Sequence, residues 1–420
     1  VTPSERVTRY ITVAVIVLGM SAGVARAQDV LLPSTSWGFV PVISGWHFNT
    51  PIPQSSGAVA DVAQVAIPFR VKLGLGGSWS MDLTGAYAAS AVHLAKGDSS
   101  SGGGGVGGGG SGNGGGGGGD KALLLTGPTD LKLRVTGPIR GDALQMTFGL
   151  NLPTGTTKMT ADQTTTLEAV GAPALHMPVG AYGTGLGGTV GLVSAIERGD
   201  WAFAFGAAVE QRTEYTPIEL ALTSGTSATQ VTPGTAFHLS LGGDRVLGEG
   251  RLGLLLLGDL FGKDQVTVGS GASSNGTSYT LGPQVTALAK LDFGAQRWRE
   301  SGASVAVRLR SAYTDATGAK VTGSNATYVE GNIGGVLGRP ESTGLVLGAD
   351  ARWHSGMTFT DALVGAAVTA AGVTIGIESG GGGFRFALHP EYGSFSTGTT
   401  KTTGLGGSIT FSFAARREAQ

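Results

Sequence analysis

The sequence predicts an all-β protein, a single transmembrane antiparallel up-and-down β-barrel of about 14–16 strands and of the outer-membrane type. Three observations predict it. Apolar and polar residues alternate with period two over stretches of about ten residues, the length a tilted strand needs to cross a bilayer. Short turns alternate with long polar loops, as they do when one end of a barrel faces the periplasm and the other the outside. Charged residues make up only 14% of the chain and glycine contributes 75 of its 420 residues, whereas a soluble domain carries about 25% charge.

The elements follow in chain order. Arg6 and Arg9, the apolar run Ile11 to Met20 and Ala25-Arg26-Ala27 have the form of a signal peptide with an A-x-A cleavage site. The run is too short for the roughly 20 residues of a spanning helix. Residues 1–27 are therefore expected to be removed on export, with Gln28 first in the mature chain. A short segment 28–36, a barrel over 37–414 and a tail 415–420 are expected to follow. After Ala27 nothing reads as an apolar helix of about 18 residues. The nearest stretch, Ala362 to Ile377, consists mainly of Gly, Ala, Val and Thr. The expected location is the outer membrane of a Gram-negative-type cell, with the lipid bilayer and the outer-membrane assembly machinery as partners.

The alternation is explicit in several segments. Trp201, Phe203, Phe205 and Val209 share one strand face, and Ala202, Ala204, Gly206, Ala208, Glu210 and Arg212 share the other. Leu144, Met146, Phe148, Leu150 and Leu152 alternate with Gln145, Thr147 and Asn151, and Val65 to Leu73 alternate with Gln64, Arg70 and Lys72. Short turns are predicted at Leu75–Ser78, Pro138–Asp142, Glu197–Asp200, Gly248–Gly250 and Gly338–Glu341. Long polar loops are predicted at Ala95–Gly127, Thr154–Gly183, Thr213–Thr232, Lys263–Gly276 and Thr314–Ser324. The segment Met357 to Gly383 fits one strand or two. Trp79, Trp201 and Trp298 fall by periplasmic turns, with Trp37, Trp46 and Trp353 toward the outer ends, as interfacial girdles require. Residues 101–120, nearly all glycine, form an outer coil that cannot bury apolar surface.

Composition removes several function classes. The net charge of -1 argues against a nucleic-acid partner, and the absence of cysteine removes thiol catalysis and thiolate metal sites. No two of the six histidines form a metal motif in sequence, and no G-x-S-x-G elbow occurs. No metal, cofactor or catalytic activity is expected. What stands out is charge on inward positions. Arg70, Lys72, Lys132, Arg134, Glu210, Arg212, Arg308, Arg310, Asp350, Arg352 and Arg385 are the pore-lining candidates. They read either as a selective constriction or as a salt-bridge network that stiffens the wall.

Two short motifs carry a resemblance. Gly127-Pro-Thr-Asp130 opens one strand, and Met146-Thr-Phe-Gly-Leu-Asn-Leu-Pro-Thr-Gly155 ends the next in L-P-T-G. Together with the pair Thr189–Ile196 and Trp201–Gln211, they resemble the outer-membrane transporter family labelled phenol-degradation meta-pathway proteins, which is distantly like long-chain fatty-acid transporters. The resemblance implies a barrel that admits hydrophobic or aromatic compounds. The C-terminus departs from it, because Ile409-Thr-Phe411-Ser-Phe413 is followed by further residues instead of ending on an aromatic. The sequence thus predicts a channel or transporter for small solutes. The alternative is a structural or surface-display barrel whose outer loops bind a partner, which would require a plugged lumen.

Overall fold

The computed structural model describes residues 35–54, 57–76, 78–95, 121–140, 144–222, 225–270, 273–293, 298–339, 341–380, 383–398 and 400–417. The expected signal peptide and the glycine-rich segment 101–120 lie outside them. Strands form over the period-two stretches, and β5 forms also within the end of the segment 95–127 expected as a loop: β1 (Thr35–Phe39), β2 (Val42–Gln54), β3 (Gly57–Gly76), β4 (Trp79–Ala95), β5 (Lys121–Pro128) and β6 (Leu131–Arg140). Next come β7 (Leu144–Leu152), the helix α1 (Ala161–Val170), β8 (Gly187–Arg198), β9 (Trp201–Arg212), β10 (Tyr215–Leu222) and β11 (Gly225–Thr232). The central strands are β12 (Ala236–Leu247), β13 (Gly250–Phe261), β14 (Lys263–Ser270), β15 (Ser273–Thr280), β16 (Gln284–Asp292) and β17 (Trp298–Arg310). The last are β18 (Ala326–Leu337), β19 (Gly344–His354), β20 (Ala367–Glu378), β21 (Phe384–Thr397) and β22 (Thr400–Arg417).

These segments close into a sixteen-stranded antiparallel barrel. β1 and β2 make one stave, since both pair with β3 and with β22 and only Val40–Pro41 interrupts them. Proline has no N–H to give the ladder, which explains the break. β5 and β6 likewise share β4 as partner. Two-residue turns fit the right-handed twist: Gly199, at φ 60°, starts the β8–β9 turn in a region that a side chain disfavours. Among the described residues, Met357 to Gly383 holds a single strand, β20, preceded by a 3-10 turn over Leu363–Gly365. Pairing between β1 and β22 runs from Phe39↔Phe413 to Thr35↔Arg417. Backbone pairing therefore extends beyond the expected bounds 37–414 and into the segment expected to be a tail, because closing the barrel gives Ala415 to Arg417 a partner strand.

The two faces of the wall differ as the alternation requires. Ile67, Phe148, Leu150, Val190, Phe205, Val209, Leu254, Leu256, Ile333, Val373 and Leu405 point outward and stay 40% or more exposed. An apolar belt of that extent is intolerable in water and matches a hydrocarbon surround. Two tryptophans are placed differently from expectation. Trp46 is buried inside the lumen at 4% exposure, and Trp37 lies at the short-turn end opposite Ala415. Ser44, Trp46 and Phe48 form the inward row of β2, so period-two geometry turned Trp46 away from lipid.

Two of the long loops are built largely of strands. β10, β11, β14 and β15 pair as a four-stranded sheet that prolongs two barrel hairpins on the outer side. One face buries Tyr215, Val231, Val266 and Tyr279 against Leu281 and Tyr313. Thr213–Thr232 and Lys263–Gly276 are thus connections by topology but largely strand by structure, since these Thr- and Ser-rich segments satisfy their backbone groups against one another.

Candidate functional site in the lumen

The segment between β7 and β8, expected as an outer polar loop, folds inward. Its helix α1 starts with a capping box in which the Gln163 N–H donates to Thr160 Oγ1 at 3.3 Å and the Thr160 N–H donates to Gln163 Oε1 at 2.9 Å. Beyond the helix, Leu175 and Val179 pack with Ala169, Val170 and Tyr182 against inward residues of β2 to β5, β20 and β21. Gln64 of β3 behaves like a strand partner: its Nε2 donates to Val179 O and its Oε1 accepts from Val179 N, each at 2.8 Å. Trp46 Nε1 donates to Leu175 O at 3.1 Å.

The root of this inward loop is clamped by the motif residues. Asp130, 5% exposed, accepts from Gly155 N at 2.9 Å, Thr184 N at 2.6 Å, Thr184 Oγ1 at 3.1 Å and Asn151 Nδ2 at 2.9 Å. Thr154 Oγ1 donates to Thr129 O at 3.1 Å and accepts from Leu131 N at 2.9 Å. The G-x-x-D and L-P-T-G motifs therefore meet as one device that turns the chain into the lumen.

Opposite the tip of that loop, β18, β19 and β21 present a charged group. A cavity of 320 Å³ is lined by Ser44, Trp46, Leu175, His176, Glu330, Asn332, Asp350, His389, Glu391, Gly407 and Ser408. His389 Nε2 lies 2.9 Å from Glu391 Oε1 and 3.2 Å from Asp350 Oδ1, and its Nδ1 lies 2.9 Å from Thr374 Oγ1. Arg352, 3% exposed, forks onto Glu391 with Nη1 to Oε1 at 2.7 Å and Nη2 to Oε2 at 3.1 Å. It also donates to Ala174 O at 3.4 Å, so the inward loop and the charged wall touch. Asp350, His389 and Glu391 are the group among the described residues that could hold a metal ion, with one ligand atom from each within 4.8 Å of the others. Chemically the arrangement can bind a cation, hold a proton, and orient one imidazole between two carboxylates.

The predicted residues fall into five places. Asp82 of β4, 8% exposed at its side chain, takes Arg70 at 2.8 Å and Arg134 at 3.4 Å. Lys72 stands opposite Asp82 in the ladder and Lys132 opposite Thr84, so the four bases are neighbours. Arg212 bonds Glu210, whose other oxygen is 3.5 Å from His238; His238 Nδ1 continues to Asp259 at 2.7 Å and Gln284 donates to Asp259 at 3.2 Å. Arg308 lies 5.9 Å from the Tyr328 ring, while Arg310 turns to Met357 and lies 5.2 Å from the Tyr313 ring. Arg385 reaches Glu378 at 3.7 Å near the short-turn end. Only Asp350 and Arg352 of the predicted set belong to the charged cavity. Sequence reasoning passed over His389, Glu391, Glu330 and Trp46. A signal was available: Asp350-x-Arg352 and His389-x-Glu391 are both period-two pairs, which a strand puts on one face.

Comparison with known proteins finds similar solved structures alone. No family model matches the chain, and no curated protein matches it. Among solved structures, OprB of Pseudomonas putida is similar at 8% identity over 91% of this chain and 94% of its own, with a TM-score of 0.43. The outer-membrane protein opdK of Pseudomonas aeruginosa is similar at 8% identity over 92% of this chain and 100% of its own, at a TM-score of 0.40. OmpT of Vibrio cholerae is similar at 8% identity over 91% and 97%, at 0.36. At such scores the likeness passes on neither solute nor mechanism.

Proposed function

We propose that the chain is an outer-membrane channel that passes small solutes through a lumen narrowed on one side by the inward loop. The carrying observation is the asymmetry of the lumen wall. The loop packs on β2 to β5, whereas β7, β8, β9 and β12 line the lumen with Thr147, Gly149, Thr189, Gly191, Ala204, Gly206, Ala208, Ser240 and Gly242. Val193, which faces inward between Gln145 and Gly206, is still 36% exposed, so solvent reaches this sector. A wall meant to be filled would carry larger side chains here.

The solute reading favoured is an uncharged or weakly polar molecule, hydrophobic and aromatic compounds included. Leu255, Leu257, Leu288 and Ala306 make a stripe on the lumen wall beside Arg308 and Tyr328, around a cavity of 60 Å³. Apolar residues facing a wet lumen offer weak sites to such molecules. The resemblance of the Asp130 and L-P-T-G motifs points the same way.

The test is single-channel conductance of refolded protein in a planar bilayer. Ala204→Trp and Ala208→Trp put bulk in the small-residue sector and should lower conductance, while Ala207→Trp, facing lipid, should not. Absence of channels from folded wild-type protein, or equal effects of the three variants, would reject the proposal and favour a closed display barrel.

A further inference from the structure

We propose that Asp350, His389 and Glu391 form a lumenal binding site for a divalent transition-metal cation, Zn²⁺ or one of similar ligand preference. The geometry comes first. The Nε2–Oε1 and Nε2–Oδ1 separations of 2.9 and 3.2 Å are close to the roughly 3.0–3.4 Å edges that ligands about 2.1 Å from one ion must have. One imidazole nitrogen with two carboxylate oxygens is a donor set for zinc, manganese or iron.

The hydrogen bonding behind the ligands is the second argument. His389 Nδ1 lies 2.9 Å from Thr374 Oγ1, a partner that can accept from Nδ1–H and so steady the ring when Nε2 ligates a metal. In that tautomer the Nε2 lone pair faces two carboxylate oxygens, and a cation among them would satisfy all three acceptors. Glu391 is held by Arg352 on both oxygens, which fixes its plane and leaves Oε1 a further lone pair. Glu330 lines the same cavity as the three ligands, and Arg308 lines an adjoining cavity with it.

The backbone supplies a third argument, independent of charge. Pro390 sits inside β21 between the two ligands, where it removes a ladder hydrogen bond that a central strand normally keeps. On the neighbouring strand a Cβ at Gly372 would lie 2.6 Å from His389 Nε2 and 3.0 Å from Asp350 Oδ1. On the other side Gly407, at φ 149°, lets its backbone lie against His389 and Pro390. Departures from strand chemistry on three adjacent staves are what a site demands and a plain wall does not.

The binding test needs no assumption about conduction. Folded protein in detergent, freed of metal with a chelator, is titrated calorimetrically with Zn²⁺ and by absorption with Co²⁺. The expected result is one saturable site per chain and a Co²⁺ visible spectrum. Both should be lost in D350N and H389Q, and affinity should fall roughly 10–100-fold in T374V, which keeps the ligands but frees the imidazole. H238Q, at the separate His238–Asp259 pair, should bind as wild type. Wild-type protein with no saturable site up to millimolar metal would overturn the proposal and leave a protonated His389 between the acids. Undiminished binding in folded H389Q would overturn it equally.

Discussion

Asp130 holds the inward loop by three hydrogen bonds, from Gly155 N, Thr184 N and Thr184 Oγ1, to one buried carboxylate, so Asp130→Ala should free that loop while the barrel stays closed. Hydrogen bonds to a charged group contribute about 1.5–3 kcal/mol each, but donors that share one acceptor are coupled and partly rehydrate when it is lost. An opening cost lowered by about 3 kcal/mol is therefore expected, short of the sum of three. That is roughly a hundredfold rise in the open population. The chain has no cysteine, so one introduced thiol reports alone. Val179→Cys, at a position 6% exposed and tied to Gln64, should label slowly in the parent and about a hundred times faster with Asp130→Ala added. Strand content by circular dichroism should stay the same. Labelling rates within about threefold of each other would refute the clamp and place the restraint in the loop's own packing.

Further outcomes are expected elsewhere. Phe205, 49% exposed to lipid, should cost roughly 2–4 kcal/mol in a refolding titration when replaced by Arg, if it lies near the bilayer midplane, and Ala204→Arg on the lumen side far less; equal costs would refute the register. Lys132→Gln with Arg134→Gln removes two of four neighbouring bases and should move the reversal potential in a salt gradient toward cations. An unchanged potential with lowered stability would make them wall structure around Asp82. In the outer loop, the Thr317 hydroxyl and the N–H groups of Thr317, Gly318 and Ala319 hold the Asp315 carboxyl below its usual range. Its ordering of the loop is present above the unfolded value near 3.9 and lost as pH falls through the lower folded value. Amide exchange at Thr317 and Ala319 should therefore stay protected through pH 4 and quicken only below it, and quickening already at pH 5 would contradict this.

Period two and the spacing of turns were enough to read the barrel, its strand number to within two, and which residues of β9 face lipid. Each strand contacts only its neighbours, and its side-chain direction is a property of the local backbone. The lumen was not legible in this way. The segment after Leu152 has the polarity of a surface loop, and only the curved inner face of β2 to β5, with Gln64, Trp46 and Ser90 aimed at it, makes inward packing favourable. Asp350, His389 and Glu391 converge because β19 and β21 flank β20 and Gly372 leaves the gap between them open. The sequence by itself determined the wall, since alternation is local. Only the tertiary structure decided what fills the lumen, because closing the barrel brings together residues whose separation along the chain carries no signal.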